Sequence, residues 1–130
     1  MYSEVTRAIS VSVDPFFVEE QSEPADSRWV FGYRVVIENT GSEPVQLMSR
    51  YWRIVDGRGR LHEVRGDGVV GEQPMLEPGE RFEYTSGTPL GTPTGIMAGT
   101  YQMLGADGLW FDVEIPAFSL DAPGSRGSVN

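Results

Sequence analysis

Apolar and polar residues alternate with period two through most of this chain. The clearest case is residues 29–39, where one face carries Trp29, Phe31, Tyr33, Val35 and Ile37. Residues 5–13 show the same pattern with Val5, Ile9, Val11 and Val13, and residues 109–115 repeat it with Leu109, Phe111, Val113 and Ile115. Period two is typical of half-buried β-strands. These three segments are therefore predicted to be strands.

Residues 45–56 are ambiguous, because their apolar positions also fit a helical stripe. Turn residues on both sides and many aromatic and β-branched residues favour a strand. The alternation slips between Leu47 and Trp52, which predicts a β-bulge near Ser49. The turn at residues 56–59 then predicts a hairpin with Val55 opposite Arg60, and hence Arg50 opposite Arg65.

Shorter strands are predicted at residues 60–65, 81–85 and 100–104, the last of them starting near Gly95, with a long Gly/Pro/Thr loop at 86–95. Pro116 places the end of the last strand at a sheet edge or a bulge. Residues 19–28 are polar, acidic and interrupted by Pro24, and they predict a mobile loop.

These elements add up to seven or eight short strands and no helix, which predicts an all-β fold. At 130 residues the expected architecture is an antiparallel β-sandwich, with a β-barrel as the alternative. We expect one domain over residues 1–120 and a flexible polar tail over residues 121–130. Apolar residues that alternate with polar neighbours are predicted to form the core between the sheets. They are Trp29, Phe31, Val35, Ile37, Trp52, Phe82, Tyr101, Phe111 and Val113.

Charge narrows the classes of partner. The formal net charge is −9, from 10 basic and 19 acidic residues, which disfavours nucleic acid and anionic membrane surfaces. Every basic residue is an arginine, and five lie close together in the sequence: Arg50, Arg53, Arg58, Arg60 and Arg65. They form either a local anion site or, the interpretation that composition favours, ion pairs with the surplus carboxylates.

Location and redox chemistry are also bounded by composition. No apolar run approaches the length of a membrane-spanning helix. The N-terminus, Met1-Tyr2-Ser3-Glu4, has no basic region followed by an apolar one, so no signal peptide is expected. The chain contains no cysteine, which excludes disulfides and thiolate chemistry. The expected location is the cytoplasm.

Gly66, Gly68 and Gly71 have the spacing G-x-G-x-x-G. In a dinucleotide-binding fold a helix follows this motif, but Pro74 comes three residues after the last glycine and prevents a long helix. Two interpretations remain. The loop is a turn-and-bulge element, which we favour, or its N–H groups form a cradle for an anion, with Arg65 at its entrance.

Groups with catalytic or metal-binding chemistry are sparse. His62 is the single histidine, and there is no G-x-S-x-G motif. Asp56, Glu63 and Asp67 could join His62 around a metal, but their spacing matches no known metal-binding loop. The sequence therefore predicts no catalytic residues, no metal site and no cofactor.

Several separated motifs together resemble the bacterial ApaG family. They are Gly68-Val69-Val70-Gly71-Glu72-Gln73-Pro74, Leu76-x-Pro78-Gly79-Glu80, Phe82-x-Tyr84-Thr85-Ser86-Gly87, Gly99-x-Tyr101-Gln102-Met103, Asp107-Gly108 and Phe111-Asp112-Val113-x-Ile115-Pro116-x-Phe118. The resemblance spans most of the chain but not the tail from Asp121. It implies a β-sandwich similar to immunoglobulin and fibronectin type III domains.

The resemblance also carries functional expectations. Bacterial ApaG proteins are associated with cobalt and magnesium resistance or efflux, and related domains in eukaryotic F-box proteins and a polymerase-delta-interacting protein resemble interaction modules. The family's G-x-G-x-x-G has been interpreted as a pyrophosphate site, which here maps onto Gly66, Gly68 and Gly71. A chain without a membrane span would take part in ion efflux only indirectly.

The expected function is therefore a non-catalytic interaction or regulatory domain with a protein partner. The alternative is binding of pyrophosphate or a nucleotide by Arg65, Gly66, Gly68 and Gly71. Direct binding of Mg²⁺ or Co²⁺ by surface carboxylates is a third hypothesis, which only the net charge favours.

Overall fold

The computed structural model describes residues 1–124 and contains nine β-strands. They are β1 (Tyr2–Thr6), β2 (Ile9–Phe17), β3 (Trp29–Asn39), β4 (Val45–Asp56), β5 (Leu61–Asp67), β6 (Met75–Leu76), β7 (Arg81–Leu90), β8 (Thr94–Gly105) and β9 (Trp110–Asp121). Two single turns of 3-10 helix, Glu19–Gln21 and Pro24–Asp26, are the only helical elements in this part of the chain.

The strands form two antiparallel sheets that pack face to face. The first has the order β1-β2-β3-β7, and the second has the order β5-β4-β8-β9, with β6 pairing with the beginning of β4. The predicted all-β antiparallel sandwich is confirmed, with nine strands rather than seven or eight.

The N-terminal prediction of one strand over residues 5–13 is wrong. The chain reverses at Arg7 and Ala8, whose φ angles are 48° and 67°, and β1 pairs back on β2 from Thr6 opposite Ile9. Two positive φ values at the centre of a two-residue loop are the geometry of the commonest hairpin turn. Glycine and asparagine normally mark that turn, and neither is present here. Val5 consequently lies on the exposed edge strand, not in the core.

The inner faces of both sheets supply a continuous core. Among the nine residues predicted for it, Phe31, Val35, Ile37, Trp52, Tyr101 and Val113 are buried, whereas Trp29, Phe82 and Phe111 are partly buried at its margin. At the centre the Tyr33 ring lies 5.2 Å from that of Trp52, and the Phe118 ring lies 5.9 Å from Trp52. Such ring pairs stabilise a core beyond their buried area.

Two irregularities expected from the sequence are present. In β4 the pairing with β8 passes from Leu47 opposite Met103 to Ser49 opposite Gln102, so Met48 is the extra residue of a bulge. In β9 the register shifts between Ile115 and Phe118, which places Pro116 in a bulge of an edge strand. Proline lacks the N–H that a regular ladder needs, and a bulge removes that need.

The predicted long loop at residues 86–95 is wrong. β7 continues to Leu90 and β8 begins at Thr94, so the connection is only residues 91–93. Proline is tolerated on an edge strand, and β7 pairs only with β3. Gly87 fits because a Cβ there would lie 2.9 Å from the Phe31 carbonyl oxygen.

The acidic segment 19–28 is organised around Ser22. Its hydroxyl donates to the Val18 carbonyl at 2.7 Å and accepts the Val30 N–H at 2.8 Å. Mobility of residues 19–28 stays a prediction. At the C-terminus Asp121 ends β9 and Ala122 is buried, so both belong to the sandwich. Residues 125–130 of the expected tail lie outside the described residues.

The two sides of the sandwich differ, since one is joined by hydrogen bonds and the other, over the described residues, is not closed in this way. On one side β1 meets β9: the Tyr2 hydroxyl and Ser119 Oγ are hydrogen-bonded at 3.1 Å, and the Glu114 N–H donates to Thr6 Oγ1 at 3.1 Å. The edge strands on the other side are β5 and β7. Because the inner faces of the two sheets form the core, the stability cost of a substitution should depend on the face that carries it.

Phe31→Ala should lower the free energy of unfolding by about 3–5 kcal/mol, because it removes a fully buried ring. Trp110→Ala should change it by less than about 0.5 kcal/mol, since that side chain is 59% exposed. Urea unfolding of both variants measures the difference. Equal stability of the two variants would show that the faces are wrongly assigned.

Candidate functional site

The turn between β4 and β5 is one residue longer than the sequence suggested. The Asp56 carboxylate accepts the N–H groups of Arg58 at 2.9 Å and Arg60 at 3.0 Å, and Gly59 has a φ of 81°. Of these contacts the Arg60 N–H contributes most to lowering the pKa of Asp56 below its ordinary value. Val55 consequently lies opposite Leu61 rather than Arg60.

This one-residue difference in the turn changes which residues lie opposite the candidate arginines on the neighbouring strand. Arg50 lies opposite Gly66, not opposite Arg65, and Arg65 lies opposite Tyr51. The Arg65 guanidinium stacks over the Tyr51 ring, 4.4 Å from its centroid. Arg50 and Arg65 therefore reach the glycine loop from different faces of the sheet.

The glycine loop is a second tight hairpin. Val70 and Gly71 have φ angles of 43° and 82°, and Val69 and Glu72 exchange N–H to carbonyl bonds of 2.8 and 2.9 Å. The Gly68 N–H donates to the Met48 carbonyl at 2.9 Å. Three N–H groups of the loop are thus satisfied by main-chain oxygens. This geometry favours the turn-and-bulge interpretation over a cradle of free N–H groups.

The three glycines of the motif are needed for different reasons. A Cβ on Gly66 would lie 2.7 Å from Arg50 Nη1, so this position leaves room for the guanidinium. A Cβ on Gly68 would lie 2.2 Å from the Glu72 carbonyl oxygen, and its φ is 61°. Gly71 needs only its left-handed φ, since a Cβ there would meet open space.

Arg50 lies at the centre of the site. Its Nη1 donates to the carbonyls of Asp67 at 3.0 Å and Gly68 at 2.9 Å, which fixes the beginning of the loop. It lines two cavities, one of about 540 Å³ that Arg65 and Gly66 also line, and one of about 270 Å³ that Gly71 also lines. Three of the candidate residues therefore divide between two cavities to which Arg50 is common, and the fourth, Gly68, lines neither.

The smaller cavity is also lined by hydroxyl groups that the sequence did not indicate as functional. Tyr33, Tyr84 and Ser86 come from β3 and β7 of the other sheet, and the Tyr84 hydroxyl is hydrogen-bonded to that of Tyr101. Burial raises the pKa of all three tyrosines above the ordinary value. The smaller cavity is thus lined by neutral hydroxyl groups, and in the Tyr84–Tyr101 hydrogen bond one hydroxyl donates and the other accepts.

The arginines of the β4–β5 hairpin are not paired with carboxylates. Within residues 1–124 the ion pairs are Arg34–Glu83 at 2.8 Å, Arg81–Glu38 at 3.9 Å and the N-terminal amine with Asp14 at 3.6 Å. Arg50, Arg53, Arg58, Arg60 and Arg65 form none. The interpretation that composition favoured, pairing with the surplus acidic residues, is wrong for this group.

The weak metal candidates do not combine into a metal-binding group in the described residues. His62 lies on β5 opposite Ile54, and Asp56 is engaged by the turn that it organises. Over residues 1–124 no three His, Cys, Asp or Glu side chains are grouped so as to hold a metal ion. In the same part of the chain, no helix has the length and apolar character needed to cross a membrane.

Fold and loop together define an antiparallel β-sandwich with an arginine-anchored glycine hairpin between its sheets. The model of the ApaG domain family matches residues 19–105. The chain is 59% identical to Protein ApaG of Brucella canis and 58% identical to that of Brucella abortus, over the full length of each. The chain belongs to the ApaG family.

A solved structure supports the same assignment. The crystal structure of the ApaA protein from Bordetella pertussis superposes with a TM-score of 0.86 at 55% identity, covering 89% of this chain and 94% of that one. The resemblance seen in the sequence motifs is thus confirmed at the level of both sequence and fold.

The different roles of the glycines predict different costs of substitution. Gly71→Ala should destabilise the domain by about 1–2 kcal/mol, the cost of a left-handed non-glycine residue. Gly68→Ala should cost more, because its Cβ also collides with the main chain. Thermal unfolding of the two variants gives the comparison, and equal losses would contradict the packing described for Gly68.

Proposed function

We propose that this ApaG-family protein is a non-catalytic interaction domain that recognises an anionic partner through the β4–β5 hairpin. The observation that carries the proposal is the set of five hairpin arginines without a carboxylate partner in residues 1–124 of a chain with net charge −9. Nineteen acidic residues are available, yet these guanidinium groups face solvent, carbonyls or an aromatic ring.

Arginine suits such a role. Its planar guanidinium makes two parallel hydrogen bonds to one carboxylate or phosphate. A positive surface on an otherwise acidic body also orients an approaching anionic partner and repels other acidic surfaces of the same protein. Stacking on Tyr51 holds Arg65 in an extended position and reduces the freedom it loses on binding.

The family's association with cobalt and magnesium resistance enters this proposal as an indirect link. We place the domain in the cytoplasm, where it acts through its partner on the proteins that move these ions. The partner, rather than this chain, then supplies the metal-handling groups.

A charge-matched pair of variants tests the interaction. Arg53→Ala/Arg60→Ala/Arg65→Ala should lose the proteins that cross-link to the wild-type domain in bacterial lysate. The control Arg28→Ala/Arg34→Ala/Arg81→Ala changes the net charge equally but leaves the hairpin intact, and it should retain them. The amount of protein that cross-links to the wild-type domain should also fall as salt is added. Equal loss from both variants would contradict a role for the hairpin.

Binding of pyrophosphate or a nucleotide is the second candidate, favoured by the position of Arg50 between two cavities. Of the candidate residues Arg65, Gly66, Gly68 and Gly71, a ligand in the larger cavity would contact Arg65 and Gly66, and one in the smaller cavity would contact Gly71. In either place it would be held by arginine side chains rather than by the N–H groups that the loop already uses. Three charge-assisted hydrogen bonds at about 1.5–3 kcal/mol each, less the cost of association, give millimolar to micromolar affinity.

Titration with pyrophosphate, followed by NMR of the backbone amides, tests this candidate. Residues 65–72 should shift, and the shifts should weaken in Arg65→Ala, which should remain folded because that side chain is exposed. Gly68→Val should damage both binding and stability. If no amide between Arg65 and Glu72 shifts at millimolar pyrophosphate, the loop only connects strands.

A further inference from the structure

Strand β5 is an uncovered edge of the second sheet. It pairs only with β4, and six of its seven residues are exposed, with the remaining Gly66 partly so. Both faces of the strand therefore reach solvent, including the apolar side chains of Leu61, 48% exposed, and Val64, 40% exposed. An edge of this kind presents free main-chain groups to a further strand.

The direction of those groups follows from the hairpin. Gly68 donates to the Met48 carbonyl and Asp56 donates to the Arg60 carbonyl, so the even-numbered residues bond to β4. Hydrogen-bonded pairs alternate along an antiparallel ladder. The N–H and C=O groups of Leu61, Glu63 and Arg65 consequently point away from the sheet. At Asp67 only the N–H is offered to a partner, because its carbonyl accepts from Arg50.

The side chains beside this edge offer both apolar surface and positive charge to a segment that binds there. Leu61, Val55 and Ile96 lie in one row across β5, β4 and β8, and Ile96 is 55% exposed. Arg58 and Arg60 flank one end of β5, and Arg65 lies near the other, all without carboxylate partners in the described part of the chain. On the same side of the sandwich, the edge strand β7 of the first sheet carries Pro89 near its end, which removes one N–H from that edge.

We propose that β5 binds an extended acidic segment of another protein by strand addition, which continues the second sheet by one strand. Main-chain bonds to the odd-numbered residues provide affinity, and acidic residues facing the hairpin arginines provide selectivity. This proposal rests on the interaction function proposed above and specifies both its surface and the chemistry of the partner.

Charge complementarity favours an acidic segment over a second copy of this chain. A second copy paired through β5 would bring its own hairpin arginines to the same seam, together with another net charge of −9. An acidic segment instead places carboxylates beside guanidinium groups that have no carboxylate partner in the described residues. Each new ion pair then displaces only water and breaks no existing ion pair.

The probe is a fluorescein-labelled peptide of alternating Glu and Val residues, with a Lys–Val peptide as its control. Binding is followed by fluorescence anisotropy, and amide hydrogen exchange locates the contact. We expect binding of the Glu–Val peptide only, weakened at least about tenfold between about 0.05 and about 0.5 M salt. The amides of residues 61, 63, 65 and 67 should gain protection, since even-numbered amides already bond to β4.

Two substitutions at Glu63 separate main-chain binding from charge. Glu63→Pro removes an outward N–H without removing a bond to β4, and it should weaken binding at least about tenfold. Glu63→Ala keeps that N–H and removes a like charge, so it should bind as well as the wild type or better. If Glu63→Pro fails to fold, the exchange pattern of the wild type decides the question alone.

Several results would overturn the proposal. They are equal binding of both peptides, equal binding by Glu63→Pro and Glu63→Ala, protection outside β5, or a β5-dependent dimer in analytical ultracentrifugation. If partners still depend on the hairpin arginines in the cross-linking experiment while the peptide protects no odd-numbered amide, the strand-addition proposal fails and the interaction function stands. Loss of arginine dependence there would refute the interaction function itself.

Discussion

The bulge at Met48 is the constraint on which the rest of the structure depends. Side chains of a strand alternate between faces, so one extra residue exchanges the two faces from that point onward. Leu47 before the bulge and Trp52 after it are both buried, although residues five positions apart lie on opposite faces of a regular strand. Without the bulge Trp52 would face solvent, and the ring packing with Tyr33 and Phe118 would be lost.

The same change of face turns Arg50 inward, and the glycine loop supplies the hydrogen-bond acceptors that the buried part of Arg50 needs. A guanidinium at the margin of an aromatic core needs hydrogen-bond acceptors, which the carbonyls of Asp67 and Gly68 provide. Gly66 leaves the space that the guanidinium occupies. The glycine motif is therefore explained to a large extent by packing around an arginine of the neighbouring strand, whatever ligand it also serves.

Periodicity was sufficient to predict the strand at residues 29–39 and the bulge in β4. Burial of one face of a strand produces a period-two pattern of apolar residues, and a bulge shifts that pattern by one residue. It was insufficient where geometry depends on a single local contact. Arg7 and Ala8 form a turn without glycine or asparagine, and the Asp56 carboxylate lengthens a hairpin by one residue. The approach of Tyr84 to Arg50 joins strands of different sheets, and only the topology brings them together.

The hydrogen bond between Tyr2 and Ser119 joins residues 117 positions apart. During synthesis at about 5–20 residues per second, Tyr2 is made roughly 6 to 23 s before Ser119. Until β9 is made, this side of the sandwich stays open, even after β4 and β8 have been made and can cover the rest of the inner face. The order of synthesis thus leaves an apolar margin and an unpaired strand edge exposed until β9 is complete, and surfaces of that kind favour aggregation.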